Sequence, residues 1–374
     1  MEFETLSIHI GRDVDAATGA VAPPLHMSTT FERDANGDFS RGYSYSRPTN
    51  PTRAALEQCL AALEGGADAT CYGSGSAASL AVFSLLRPGD HVIAPIEAYH
   101  GTAKQLRDLI GPMGVEFSFI DITNLDKVRA AFRSTTRLIW VETPSNPMLN
   151  VTDITVVCEL ARKHKVLVCC DNTFATPVWQ RPFELGADLI MHSSTKYFGG
   201  HSDLMGGVVV TRERGELSDR LRDYQATAGS VPSPFDCWLI RRSVTTLSCR
   251  VKAQTASAHT LAEFLIKHPQ VERVYYPGLT QHPGHAIAKR QMSGFGAMLS
   301  FCVRGGREKA FDVAARTRLF IRATSLGGVE SLIEHRASVE GPHTVTPDNL
   351  LRVSVGLENC EDLMADLDRA LVNA

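Results

Sequence analysis

The sequence predicts an α/β protein: a mostly parallel sheet covered by helices, followed by a smaller C-terminal α+β domain. Three observations predict it. Short, near-continuous apolar runs recur between residues 91 and 211, as strands buried on both faces require. Helix-length segments alternate with them, which is the βαβ rhythm of a parallel sheet. Near residue 240 that rhythm gives way to a long helical stretch and then to strands at wider intervals.

The elements follow in order. Residues 1–50 read as an irregular arm, because Pro23, Pro24, Gly37, Gly42 and Pro48 break any period. Such an arm is expected to pack on a neighbouring subunit. Residues 52–63 form a helix with Leu56, Leu60 and Leu63 on one face. Helices are then expected over 77–86, 102–110, 126–132 and 154–164, and strands over 91–94, 116–120, 138–142 and 166–170. Two more apolar runs, 187–192 and 206–211, complete the sheet. A long helical stretch covers 235–267. Strands at 271–275, 297–303 and 350–355 and a closing helix over 361–371 make the second unit. The expected division is an arm at 1–50, a ligand-binding domain at 51–239 and a C-terminal domain at 240–374.

Bulk properties narrow the class of function. The 374 residues suffice for two domains with a large core. With 38 basic and 41 acidic residues the net charge is −3, which argues against nucleic-acid or membrane-surface binding through bulk charge. No apolar run approaches the roughly 18 residues that span a bilayer. Met1-Glu2-Phe3-Glu4 lacks the basic start of a signal peptide, so a cytoplasmic protein is expected. Nine scattered cysteines without a CxxC pair suit a reducing compartment and no metal site.

The chemistry is concentrated in a few loops. Ser193-Ser194-Thr195-Lys196 follows an apolar run and precedes Gly199-Gly200. Its hydroxyls suit a phosphate, and its amine suits a Schiff base with the aldehyde of pyridoxal phosphate (PLP). Asp171 ends the strand at 166–170, where open α/β sheets place ligand contacts. There it either holds a pyridine nitrogen protonated or caps the next helix. Gly73-Ser74-Gly75-Ser76 opens a helix, as a phosphate cradle or an ordinary glycine-rich entry. Tyr99 follows a strand and can stack on a flat ring or simply pack in its loop. In Thr143-Pro144-Ser145-Asn146-Pro147 two prolines aim Asn146, toward a ligand or merely within a rigid turn. Arg47, two residues after Tyr45, has the geometry for a phosphate, though an arm arginine is also an ordinary surface charge. Arg352 interrupts an apolar strand, and a buried arginine requires a partner: a substrate carboxylate or a structural acid.

Together these motifs, with Ser325-Leu326-Gly327-Gly328-Val329-Glu330 and Leu351-Arg352-Val353-Ser354-Val355-Gly356, resemble the PLP-dependent enzymes of cysteine and methionine metabolism. The resemblance covers nearly the whole chain and is closest to cystathionine γ-lyase and cystathionine γ-synthase. It implies the fold type I PLP-dependent transferase fold and homotetramers built from two dimers. By that resemblance Lys196 is the Schiff-base lysine and proton shuttle, and Tyr99 stacks on the ring and assists proton transfer. Asp171 pairs with the pyridinium, and Thr173 joins it in holding the cofactor. Gly75, Ser76, Ser193 and Thr195 hold the phosphate, which Tyr45 and Arg47 reach from a neighbouring subunit. Arg352, Ser325 and Asn146 bind the substrate carboxylate.

Glu330 matches an acidic position of the cystathionine γ-enzymes, and a carboxylate there favours a substrate with a distal cation. Two residues depart from the family pattern. His100 stands where glycine is common, and Lys104 replaces an arginine associated with a distal carboxylate. The expected reaction is γ-elimination from a γ-substituted L-amino acid such as cystathionine, giving a 2-oxo acid and ammonia. The alternatives are γ-replacement on an O-acylhomoserine, γ-elimination from another homoserine-derived substrate such as canavanine, and PLP binding without turnover.

Overall fold

The computed structural model describes residues 1–374 and contains two sheets. The first has seven strands: β1 (Asp68–Tyr72), β2 (His91–Pro95), β3 (Glu116–Ile120), β4 (Thr136–Glu142), β5 (Leu167–Asp171), β6 (Leu189–His192) and β7 (Gly207–Thr211). Their order is β1-β7-β6-β5-β4-β2-β3. Only β7 runs against its neighbours. The carboxyl ends of β1, β2, β4, β5 and β6 therefore share one edge of the sheet. The second sheet has order β10-β11-β12-β9-β8, from β8 (Val271–Tyr275), β9 (Met298–Val303), β10 (Ile321–Arg322), β11 (Leu332–His335) and β12 (Leu350–Ser354).

Local chemistry sets the element ends. The helix Pro51–Glu64 starts where Asn50 Oδ1 accepts the N–H groups of Thr52 and Arg53 at 2.9 and 3.2 Å, with Pro51 at the first position. It stops at Gly65, whose φ of 73° suits a residue without Cβ. Leu56, Leu60 and Leu63 on its inner face are all at most 1% exposed. Each such burial is worth about 1.5–3 kcal/mol. One continuous apolar core joins this helix to Leu261, Leu265, Leu350 and Leu367, so the second sheet is anchored on the first unit's helix.

Several expectations need correction. The arm is not wholly irregular: Phe3–His9 is helical. Arg241 holds it, donating from Nη1 to Ser7 O and from Nη2 to Ile8 O and Ile10 O. The stretch 235–267 is two helices, Pro234–Val244 and Leu247–Leu265, interrupted at Thr245 and Thr246. β1, β10 and β11 add strands beyond those expected. β1 is too short to display a period, and the other two become strands only through pairing, β11 with β12 and β10 with β11. No helix is long and apolar enough to cross a membrane.

Candidate active site

A cleft of about 230 Å³ opens at the carboxyl edge of the first sheet, beneath the second. Eleven of the sixteen residues singled out in the sequence line it: Gly75, Ser76, Tyr99, Asn146, Asp171, Thr173, Ser193, Thr195, Lys196, Ser325 and Arg352.

The sheet-side wall is built from strand ends. Asp171 and Glu142 are register partners at the ends of β5 and β4, so two carboxylates lie side by side. Burial pushes the affinity of both for protons upward, and for Glu142 the neighbouring Asp171 charge adds to it. Glu142 Oε2 accepts the Tyr99 N–H at 2.7 Å, and Asp171 Oδ1 accepts the Thr173 N–H at 3.0 Å. Thr173 Oγ1 in turn accepts the Ser193 N–H at 2.9 Å, tying the end of β5 to the serine turn after β6. Ser74 caps the helix Gly75–Phe83 by accepting the Ala77 N–H at 3.1 Å. A Cβ on Gly75 would sit 2.7 Å from Ser193 Cβ, so only glycine lets the helix start meet that turn. The result is a pocket of backbone N–H groups and hydroxyls at a helix N-terminus, suited to a phosphate.

The opposite wall comes from the second sheet. Arg352 on β12 is 4% exposed and faces Glu334 of β11 in register. Its Nη2 donates to Glu334 Oε2 and to Ser325 O, both at 2.8 Å, and its Nη1 donates to Asn146 Oδ1 at 3.0 Å. Burial, then the nearby Arg336 charge, brings its pKa down to about 10. Lys196 Nζ donates to Ser325 Oγ at 2.7 Å. Burial, reinforced by Arg352 and Arg336, lowers the Lys196 pKa to about 8. Ser325 has a φ of 84°, a left-handed conformation that costs a serine energy and turns its hydroxyl and carbonyl to the two cations.

Five expected residues lie elsewhere in this chain. Tyr45 is 45% exposed on the arm, and Arg47 donates to Ala226 O. Lys104 pairs with Asp108 one helical turn on, with its side chain 71% exposed. Glu330 accepts the Ser202 hydroxyl rather than facing the cleft. His100 lines an adjoining pocket with Asn146 and Glu340, its ring centroid 4.6 Å from that of Tyr99. Spacing along the chain could not reveal these orientations.

Sequence reading also missed residues. Glu142 ends a strand just as Asp171 does, and that parallel was the available signal. Glu334 lies in a four-residue strand and Arg336 just after it, and neither gave one. His192, placed near the lysine in sequence, is instead held by Glu64 at 2.5 Å, and Asn172 donates to the same carboxylate oxygen at 2.9 Å. That buried network supports the β5 and β6 ends from behind.

The described geometry fits PLP: a glycine-lined anion cradle, a buried carboxylate with raised proton affinity, and an amine of lowered pKa, all on one cleft. The family of Cys/Met metabolism PLP-dependent enzymes matches residues 4–372. The cystathionine gamma-synthase of Mycobacterium tuberculosis is 49% identical over 98% of this chain and 96% of its own. The cystathionine gamma-lyase of Bacillus subtilis is 42% identical over the full length of both. The crystal structure of metB from Corynebacterium glutamicum superposes with a TM-score of 0.98 at 43% identity, covering 100% of this chain and 98% of that one. The chain belongs to this family; it is a PLP-dependent enzyme of trans-sulfuration type, with the α/β fold of that group.

Proposed function

We propose that the enzyme catalyses γ-elimination on a γ-substituted L-amino acid of the cystathionine type, releasing a 2-oxo acid and ammonia. One observation carries the reading: Ser325 joins the proton carrier to the carboxylate receptor. Its hydroxyl meets Lys196 Nζ at 2.7 Å and its carbonyl meets Arg352 Nη2 at 2.8 Å. An amino acid held by its carboxylate at Arg352 thus presents its α-carbon to Lys196.

Arg352 binds the carboxylate through the fork that Asn146 orients. Lys196, with its pKa near 8, is a free amine in part at neutral pH and mostly so at mildly alkaline pH, and in that form can accept the α-proton. PLP, when bound, supplies an electron sink for the charge left on that carbon. Lys196 then moves a proton at the β-carbon, the γ-substituent leaves with its bonding electron pair and takes up a proton, and water hydrolyses the unsaturated amino acid that remains to the 2-oxo acid and ammonia. Asp171 holds the ring nitrogen, the Gly75–Ser76 and Ser193–Thr195 turns hold the phosphate, and Tyr99 covers the ring. Tyr45 and Arg47, outside their own cleft, serve the phosphate of a neighbouring subunit in a homotetramer. In this reading residues 1–50 serve the neighbour, 51–239 hold the cofactor and 240–374 hold the substrate. Nine free cysteines suit the cytoplasm.

A second reading, γ-replacement on an O-acylhomoserine, is favoured by the higher identity to cystathionine gamma-synthases, 49% against 42% for the B. subtilis lyase. Purified holoenzyme supplied with L-cystathionine, and separately with O-succinyl-L-homoserine plus L-cysteine, separates the two. Release of 2-oxobutanoate from cystathionine supports elimination. Net formation of cystathionine with no such release sinks it in favour of replacement. Absence of any reaction, with Lys196→Ala indistinguishable from wild type, would refute both.

A further inference from the structure

A second guanidinium stands beside Arg352. Arg336 lines the same cleft and is 2% exposed. Its Nη1 donates to Glu334 Oε2 at 2.9 Å, the oxygen that Arg352 already uses, and its Nε donates to Glu340 Oε1 at 3.1 Å. Its Nη2 is buried and has no acceptor. A buried, unpaired guanidinium N–H is costly, and the cost is tolerated where a ligand completes the set. A second orphan lies close by: His100 Nδ1 is buried without a partner. Asn146 lines both the cleft and the His100 pocket, and Glu340, which holds Arg336, lines the latter. Arg336 is also the largest charge acting on His100, holding the imidazole neutral after burial. Two donor-capable side chains, one in the cleft and one in the adjoining pocket, therefore border the region that Asn146 and Glu340 share beside the carboxylate receptor. Lys104, the residue whose charge the sequence offered for this region, is turned out to Asp108.

We propose that Arg336 is a specificity-determining residue whose free Nη2, with His100 Nδ1, takes an anionic group at the far end of the γ-substituent. The enzyme then prefers γ-substituents that end in a carboxylate over neutral ones. The inference rests on the γ-substituted substrate class proposed above.

The test uses holoenzyme with two substrates that differ at that end, O-succinyl-L-homoserine (anionic) and O-acetyl-L-homoserine (neutral), each with L-cysteine. Wild type should favour the succinyl ester in kcat/KM. Arg336→Met should cut the succinyl-to-acetyl ratio roughly tenfold or more, chiefly through KM, and Arg336→Lys should recover part of it by keeping charge without the fork. His100→Gly, which keeps the buried cation, should shift the ratio the same way by about threefold. A ratio unchanged in Arg336→Met and His100→Gly, with both substrates losing alike, would overturn the proposal and leave Arg336 as a support for Glu334.

If wild type turns over neither ester, the reaction class fails but the subsite remains testable through cofactor absorbance. Glutarate should then lose at least about tenfold more affinity than butyrate on going to Arg336→Met. Equal losses would reject the subsite.

Discussion

The two walls of the cleft hold opposite charges under opposite stress. On the sheet side, burial drives Asp171 and Glu142 toward their protonated forms. On the facing side, burial drives Arg352 of the second sheet, and Lys196, whose amine reaches across to Ser325, toward neutrality. Burial works against the charged form on both walls, and Arg352 alone of the four has a counter-ion bonded to it, the Glu334 carboxylate. The walls also differ in construction. The acids sit at ends of parallel strands whose register the backbone dictates, whereas the cations are held by bonds their side chains make to segments distant in sequence. The comparison teaches that the wall of strand ends is rigid by topology and the facing wall is adjustable by side chains.

The largest effect should follow from removing the group that works between the walls. Lys196→Ala should lower kcat/KM by about 10³-fold or more, measured by 2-oxo acid release with cofactor content matched by absorbance. A loss under tenfold would mean that the proton carrier is elsewhere. Next comes the substrate wall. Arg352→Lys keeps the charge and loses the fork that reaches Glu334, Ser325 and Asn146 together, so KM should rise about 10–100-fold with kcat changed less. If instead kcat collapsed at constant KM, the carboxylate receptor would have to be sought elsewhere.

The stress on the amine should be visible as pH-dependent stability. Lys196 titrates near 8 when folded and near its ordinary 10.5 when unfolded. Between these values the unfolded chain binds the extra proton, so folding stability rises with pH there; below 8 the full penalty is present. Protein stripped of cofactor should therefore gain stability relative to Lys196→Met from about pH 8 to 10.5, by up to roughly 3 kcal/mol. Parallel urea-unfolding curves at pH 7.5 and 10 would read it, and a constant difference would dismiss the lowered pKa. The smallest effect is expected outside both walls. Lys104→Ala should change kcat/KM by less than about twofold, since the Lys104–Asp108 pair is solvent-exposed. A larger loss would put Lys104 back in the substrate's path.

How legible the site was depends on which wall is considered. Asp171 and the Ser193–Lys196 turn could be read directly because each ends an apolar run, and a strand's end is marked in its own few residues. The glycine at 75 was equally local, and its reason, a close approach by Ser193, emerged from packing. Arg352 could be flagged as a buried arginine but not given a partner. Glu334 meets it only because β11 and β12 pair antiparallel, and β11 is four residues long. Glu330 and Lys104 were drawn toward the substrate by position in the chain and turned away by their rotamers and neighbours.

Apolar periodicity and strand-end polar residues were enough to establish the α/β class, the parallel sheet and the cofactor side of the cleft, because these depend on interactions a few residues long. The break at Thr245, the pairing that creates β10 and β11, and the convergence of Arg352, Arg336 and Glu334 depended on the folded chain. Burial and cross-strand contact are properties of the packed whole, and they alone decide which charges share a partner and which nitrogen is left without one.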